Sequence, residues 1–139
     1  MSELVQDFMT ADPITIDAEA PISEAASKMR EADVGSLIVM KGDEVIGVVT
    51  DRDITVRAVA EGKDPNTFPV GEVSSKEVAT VSPRDKVAMV IDLMEKIAVR
   101  RLPVVDNHKP VGIVSLGDLA VQKDPDSTLA QISAAPPND

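Results

Sequence analysis

The chain has 139 residues, 43% of them apolar, with no Cys, Trp or Tyr, two Phe and a formal net charge of −10. That length holds one domain or two small, intimately packed repeats around an aliphatic core, and the missing Cys excludes disulfides and thiolate metal sites. The acidic balance and the lack of stacking aromatics argue against nucleic acid or membrane as partners; with no leader-like N-terminus and no apolar run of about 18 residues, a cytoplasmic protein is expected.

Leu4 to Met9 reads as a short helix or an irregular arm. Ile14-Thr15-Ile16 alternates as a short strand does. Ile22, Ala25, Ala26 and Met29 then fall on one helical face, with Asp17 and Pro21 marking the start region. Leu37 to Met40 and Val45 to Val49 are β-rich runs joined by Lys41-Gly42-Asp43-Glu44, which predicts a hairpin. A second helix begins at Thr50 and stops near Ala60, at Glu61-Gly62. Gly62 to Pro69 holds one Gly, two Pro and polar residues, so it reads as a linker.

The order then recurs: a strand at Ala79-Thr80-Val81, and a helix opened by Ser82-Pro83 with Val87, Val90, Ile91 and Met94 on one face. Strands follow at Leu102 to Val105 and Val111 to Val114, and a last helix starts at Ser115. A shift of 65 residues lays Val5 to Val56 over Val70 to Val121 without a gap, matching Thr15 to Thr80, Met29 to Met94, Gly47 to Gly112 and Asp53 to Asp118 among others. Each copy reads β-α-β-β-α, an α+β unit that cannot bury its apolar face alone, so two copies are expected to pack about a pseudo-two-fold axis. The expected boundaries are 1–61 for the first repeat with its N-terminal arm, 62–69 for the linker, 70–124 for the second repeat and 125–139 for a frayed tail.

The strongest match between copies is Gly47-Val48-Val49-Thr50-Asp51-Arg52-Asp53 against Gly112-Ile113-Val114-Ser115-Leu116-Gly117-Asp118. Both read as a buried strand turning into a helix, with a hydroxyl at the turn and Asp three residues later. That spacing suits a capping box, in which the two side chains do nothing but close the helix end. It also suits a ligand site, because a helix N-terminus favours an anion, a hydroxyl can bond phosphate, and a short carboxylate can hold vicinal ribose hydroxyls. The Gly would let a backbone approach closely. Asp51-x-Asp53 is better read as helix-start acids than as a Mg²⁺ site, and His108, the one His, falls in a hairpin turn. No nucleophile–base set, P-loop or zinc-helix motif is present, so no catalytic residue and no metal are expected.

These motifs carry a resemblance. The G-h-h-T/S-x-x-D strings, together with Val99-Arg100-Arg101-Leu102-Pro103-Val104-Val105, resemble the cystathionine-β-synthase (CBS) domain, and the pair looks like a Bateman module. Thr50-Asp51-Arg52-Asp53-Ile54 and Gly62-x-Asp64-Pro65 are similar to strings in small stand-alone bacterial CBS-pair proteins, including the actinobacterial hypoxic-response type. The resemblance implies a regulatory module that binds AMP, ADP, ATP or S-adenosylmethionine in clefts between the repeats. It implies one cleft of Thr50, Arg52, Asp53, Val78, Ala79, Val99, Arg100 and Arg101, and another of Pro13, Ile14, Val34, Gly35, Ser36, Ser115 and Asp118. The first gathers three Arg and the second none, so a charged phosphate belongs to the first. The alternative is a ligand-free interaction module whose turn residues only cap helices.

The two helices after the short strands differ behind their core faces. The first carries Glu24, Ser27, Lys28 and Glu31, whereas the second carries Met89 and Leu93 in place of Glu24 and Lys28. The resemblance and this apolar back together imply a homodimer through helices that include Met89 and Leu93. The regulated protein partner is not named by the sequence.

Overall fold

The computed structural model describes residues 3–75 and 79–123; Val78, the tail at 125–139 and the end of the second repeat at 124 lie outside them. In chain order the elements are a 3-10 turn at Val5–Asp7, β1 (Thr10–Ala11), β2 (Thr15–Asp17), α1 (Ile22–Ala32), β3 (Ser36–Lys41), β4 (Glu44–Thr50) and α2 (Asp51–Ile54). A π turn at Thr55–Val59 and a 3-10 turn at Val70–Glu72 follow, and then α3 (Val87–Ile97), β5 (Arg101–Asp106), β6 (Lys109–Ser115) and α4 (Leu116–Lys123).

The chain forms two compact units, but they are not the two sequence repeats. One is Pro13–Val78, and the other joins Met1–Asp12 to Ala79–Asp139. The expected arm of the first repeat thus belongs with the second repeat, and the expected linker belongs with the first. Backbone hydrogen bonding is the reason. The α1 N-terminus has Pro21 as its cap residue and no side-chain cap. Its free N–H groups go instead to linker carbonyls, Ile22 N–H to Phe68 O (3.0 Å) and Ser23 N–H to Pro65 O (2.9 Å). In α3 the Val87 N–H finds Glu3 O at 3.0 Å. Val70 donates to Ala20 O (2.8 Å) and Gly71 to Ala18 O (2.9 Å); in the same register, Val5 donates to Asp85 O and Gln6 to Pro83 O, both at 2.9 Å. The segment that precedes each repeat is therefore docked on the other one.

In the Pro13–Val78 unit the sheet order is β2-β3-β4, with β2 parallel and β4 antiparallel to β3. The Ser75 N–H bonds Val48 O (3.1 Å) on the outer side of β4. Alternation sends Leu37, Val39 and Val49 to the face that α1 covers with Ile22, Ala25 and Met29, and the docked segment adds Val70 and Val73 to this core. Ala26, expected with that helical face, is exposed, because it lies one residue step, about 100°, beyond Ala25 on a narrow core-facing stripe. Lys28, on the polar back, reaches across to Thr15 O (2.9 Å). The helix expected from Thr50 to Ala60 opens as α2 and widens into the π turn. Thr55 Oγ1 bonds back to Asp51 O (3.0 Å), and the Ala60 N–H reaches Thr55 O (2.9 Å).

In the other unit the order is β1-β6-β5, with every pair antiparallel. Val87, Val90, Ile91 and Met94 of α3 pack on Leu102, Val104 and Val114, and Val5 and Leu119 complete this core. The expected strand at Ala79-Thr80-Val81 shrinks to one parallel bridge, Val81 to Val104. Pro103 explains the loss. In the first copy the Ile38 N–H bonds Ile14 O (3.0 Å); its counterpart is Pro103, which has no N–H to give. The helix expected from Ser82-Pro83 starts later, at Val87. The intervening turn is closed by the Ser82 N–H on Asp85 Oδ2 (2.8 Å) and by Arg84 on Asp106 (2.9 Å). That guanidinium hydrogen bond holds the exposed Asp106 carboxyl below its ordinary range. Both hairpins carry a bulge at the same place, after Val39 and after Val104.

Helices α1 and α3 both end on a residue in the left-handed region, Asp33 (φ 55°) and Ala98 (φ 58°). Asp tolerates this conformation better than Ala, which gains nothing from its Cβ there. Ala98→Gly is expected to stabilise the protein by about 0.5–1 kcal/mol in urea unfolding with an unchanged slope.

Candidate functional site: two strand-to-helix turns

At the first turn β4 runs into α2 with Thr50 extended (φ −116°, ψ 164°). Its Oγ1 accepts the Asp53 N–H (3.1 Å), while Asp53 Oδ2 accepts the Thr50 N–H (2.9 Å). The capping box is real, closed by Asp where Glu or Gln is usual. It uses one carboxylate oxygen. The other, Oδ1, lies 4.0 Å from Arg57 Nε, one helical turn on, and Arg57 Nη1 also approaches Val73 O at 3.5 Å. A carboxylate offers about four acceptor sites, so Asp53 retains capacity for a ligand hydroxyl. The Asp53 side chain is only 21% exposed.

At the second turn Ser115 Oγ accepts the Asp118 N–H (3.1 Å), and Asp118 is exposed. In each unit the residue before the first strand of the hairpin is tied to the helix start. The Asp51 N–H bonds Gly35 O (3.0 Å), and the Leu116 N–H bonds Arg100 O (2.7 Å). Ser36 pairs with Thr50, and Arg101 pairs with Ser115.

One unit therefore brings together Thr50, Asp53, Gly35 and Ser36, with Ile14 bonded to β3 and with Ile14 and Val34 each 36% exposed. The other brings together Ser115, Asp118, Arg100 and Arg101, with Val99 and half-buried Ala79 each packed at the core edge. Arg52 is exposed, and its N–H donates to Asp51 Oδ1 (2.8 Å). Pro13 is half-buried. Each ligand set expected from sequence takes members from both units. Arg57 was missed in sequence, although its position four residues after Asp53 is the spacing at which helical side chains meet.

The motif glycines have a structural role of their own. A Cβ on Gly47 would run into Ser75 O, and one on Gly112 would lie 2.6 Å from Met9 Sδ and 2.9 Å from Thr10 O. The backbone that approaches closely is the docked leading segment of the chain itself. Among the described residues no three His, Asp or Glu side chains are grouped to hold a metal ion, and His108 is exposed in the β5–β6 turn.

The fold and the paired turns define a tandem CBS module: the CBS-domain family model matches residues 5–59 and again 70–122, and the chain belongs to that family. It is 42% identical over 119 residues to the CBS domain-containing protein YhcV of Bacillus subtilis, covering 86% of this chain and 84% of that one. It is 35% identical over 116 residues to hypoxic response protein 1 of Mycobacterium tuberculosis, covering 83% and 81%. A crystal structure of Hypoxic Response Protein I with two coordinated zinc ions superposes with a TM-score of 0.74 at 34% identity, over 86% of this chain and 98% of that one. The CBS domain pair of protein MJ0100, solved with 5′-methylthioadenosine and S-adenosyl-L-methionine, gives a TM-score of 0.77 at 26% identity over 91% and 100%.

Because the Gly47 position is filled by backbone, Gly47→Ala is expected to cost about 2 kcal/mol or more, the scale of a core overpacking that backbone must absorb. Gly112→Ala, which meets a flexible Met side chain first, should cost less. Thermal unfolding of the two variants side by side checks the order.

Proposed function

We propose that this chain is a regulatory module that senses an adenosyl ligand, held by residues of both repeats. The observation that carries this reading is the Thr50–Asp53 turn: a capped helix start whose partly buried carboxylate still has acceptor capacity to offer. The MJ0100 pair, which binds S-adenosyl-L-methionine and 5′-methylthioadenosine, gives the ligand class its support. In this reading Asp53 accepts ribose hydroxyls and Thr50 bonds the ribose or phosphate. Arg52, Arg100 and Arg101, with Val78, Ala79 and Val99, complete a site for AMP, ADP or ATP. Ser115 and Asp118 with Pro13, Ile14, Val34, Gly35 and Ser36 form a second site suited to an uncharged nucleoside end, with Arg100 and Arg101, which stand beside Ser115 in the same unit, assigned to the first site. Ligand bridging favours one arrangement of the repeats, which a protein partner reads in the cytoplasm. No reaction is proposed, and zinc is not carried over from the relative, since this chain has no Cys and one His.

Pure capping is the rival reading, and ligand binding separates the two. Titration calorimetry with AMP, ADP, ATP and S-adenosylmethionine should give heat with at least one. Asp53→Ala should weaken that binding by about tenfold or more, the loss of a hydrogen bond to a charged group, and by more than Asp118→Ala does. No heat with any of the four, or equal loss from both variants, would withdraw the assignment. Arg101→Ala should weaken AMP while sparing adenosine, because only the phosphate needs a charge-assisted bond; parallel weakening would make Arg101 a packing residue.

Assembly is the second part of the proposal. Met89 is 65% exposed on α3, with Ile97 38% exposed further along it, whereas Leu93 leans onto the core of its own unit. A homodimer through this surface is expected, with the same patch on both copies. Met89→Glu is the clean disrupting change, since Leu93→Lys also removes core contact. Light scattering across a micromolar dilution series should show more than the monomer mass of 14.7 kDa for the unaltered chain and that mass for Met89→Glu.

A further inference from the structure

The N-terminal segment is bound to the second repeat by contacts that any copy of the same segment would satisfy. Val5 is fully buried in that core, with Phe8 and Met9 packed at its edge. Val5 and Gln6 donate to Asp85 O and Pro83 O, Glu3 O accepts from Val87, and β1 pairs with β6 through Thr10–Ile113 and Ala11–Gly112. The segment is joined to the rest of the chain by Asp12-Pro13-Ile14 alone, because β1 ends at Ala11 and β2 begins at Thr15. The chain passes from one compact unit to the other at Asp12–Pro13.

That crossing is strained. Asp12 has φ 54°, the left-handed region, directly before a proline. A residue before proline prefers extended backbone, and left-handed non-glycine residues are costly in their own right. If Asp12 relaxes to the extended region, the segment is redirected away from its own second repeat. The vacated position then accepts the same segment from another copy, and every bond named above is remade across the pair.

We propose that residues 3–11 exchange reciprocally between two copies of this chain, with strain at Asp12 as the driving hinge. The exchange is closed and two-fold, since each copy gives and receives the same segment. It does not depend on a ligand. Because closure within one chain has an effective concentration in the millimolar range, the exchanged form should collect on refolding at roughly millimolar protein.

The absence of Cys permits a test with no background. Thr10→Cys chains and Ile113→Cys chains are mixed, unfolded, refolded together and oxidised. Thr10 and Ile113 are directly paired across the strands, a separation that a disulfide spans. The expected result is a disulfide-linked heterodimer of one chain of each kind on a denaturing gel. The control carries both Cys in one chain and should close internally when dilute. A second pair, Leu4→Cys with Lys86→Cys, repeats the test at the neighbouring bridge and covers any failure of the first pair to fold. Adding Asp12→Gly, which accepts the left-handed conformation, should lower the heterodimer yield about tenfold relative to Asp12→Val. No mixed disulfide from either pair would overturn the proposal. So would failure of both dilute controls to close, or equal yields from the two Asp12 substitutions.

Discussion

Two helices in this protein start without a side chain to cap them, and the chain answers both with backbone from outside the repeat. Phe68 O and Pro65 O take the first N–H groups of α1, and Glu3 O takes the first of α3. A buried helix start with orphaned donors is costly, so these carbonyls fix where the leading segments must lie. Much else follows from that placement. Val5 and Val70 each become core residues of the repeat other than the one they lead into, Gly47 and Gly112 must lack side chains, and the sheet edges beside β4 and β6 are covered. Neither repeat is complete when cut at the sequence boundary.

The paired turns show how a capping motif can fix side chains that the proposed ligand site would use. Thr50 and Asp53 satisfy each other's backbone N–H, which holds the carboxylate in a fixed place on the first turn of α2. A fixed carboxylate with spare acceptor capacity is a better ligand group than a mobile one, because its ordering has already been met by the cap. Capping at Thr50 and Asp53 therefore leaves room for the proposed binding role and does not by itself require it.

Duplication also left the copies free to diverge where packing did not hold them. Pro103 stands where Ile38 donates to Ile14, and the first strand of the second copy is reduced to a single bridge as a result. Arg100 and Arg101 stand where the first copy has Gly35 and Ser36, beside the same helix start. Met89 is exposed where the first copy has Glu24. The shared positions are the core and the caps, and the divergent ones are surface and strand edge.

The sequence by itself determined the duplicated α+β fold. Periodicity placed α1, α3 and both hairpins, because a buried face imposes its own spacing on the chain. The hydroxyl-x-x-Asp strings located both turns for the same reason: a helix start needs those groups at that distance. Tertiary structure alone decided three things. The leading segments dock on the opposite repeats through main-chain carbonyls, which carry no sequence signature. The motif glycines are required by Ser75 and Thr10, residues far away in the chain. The first strand of the second copy failed at Pro103, whose missing donor mattered only once its neighbour was known. Local pattern encodes what a segment buries; it does not encode which distant backbone will come to meet it.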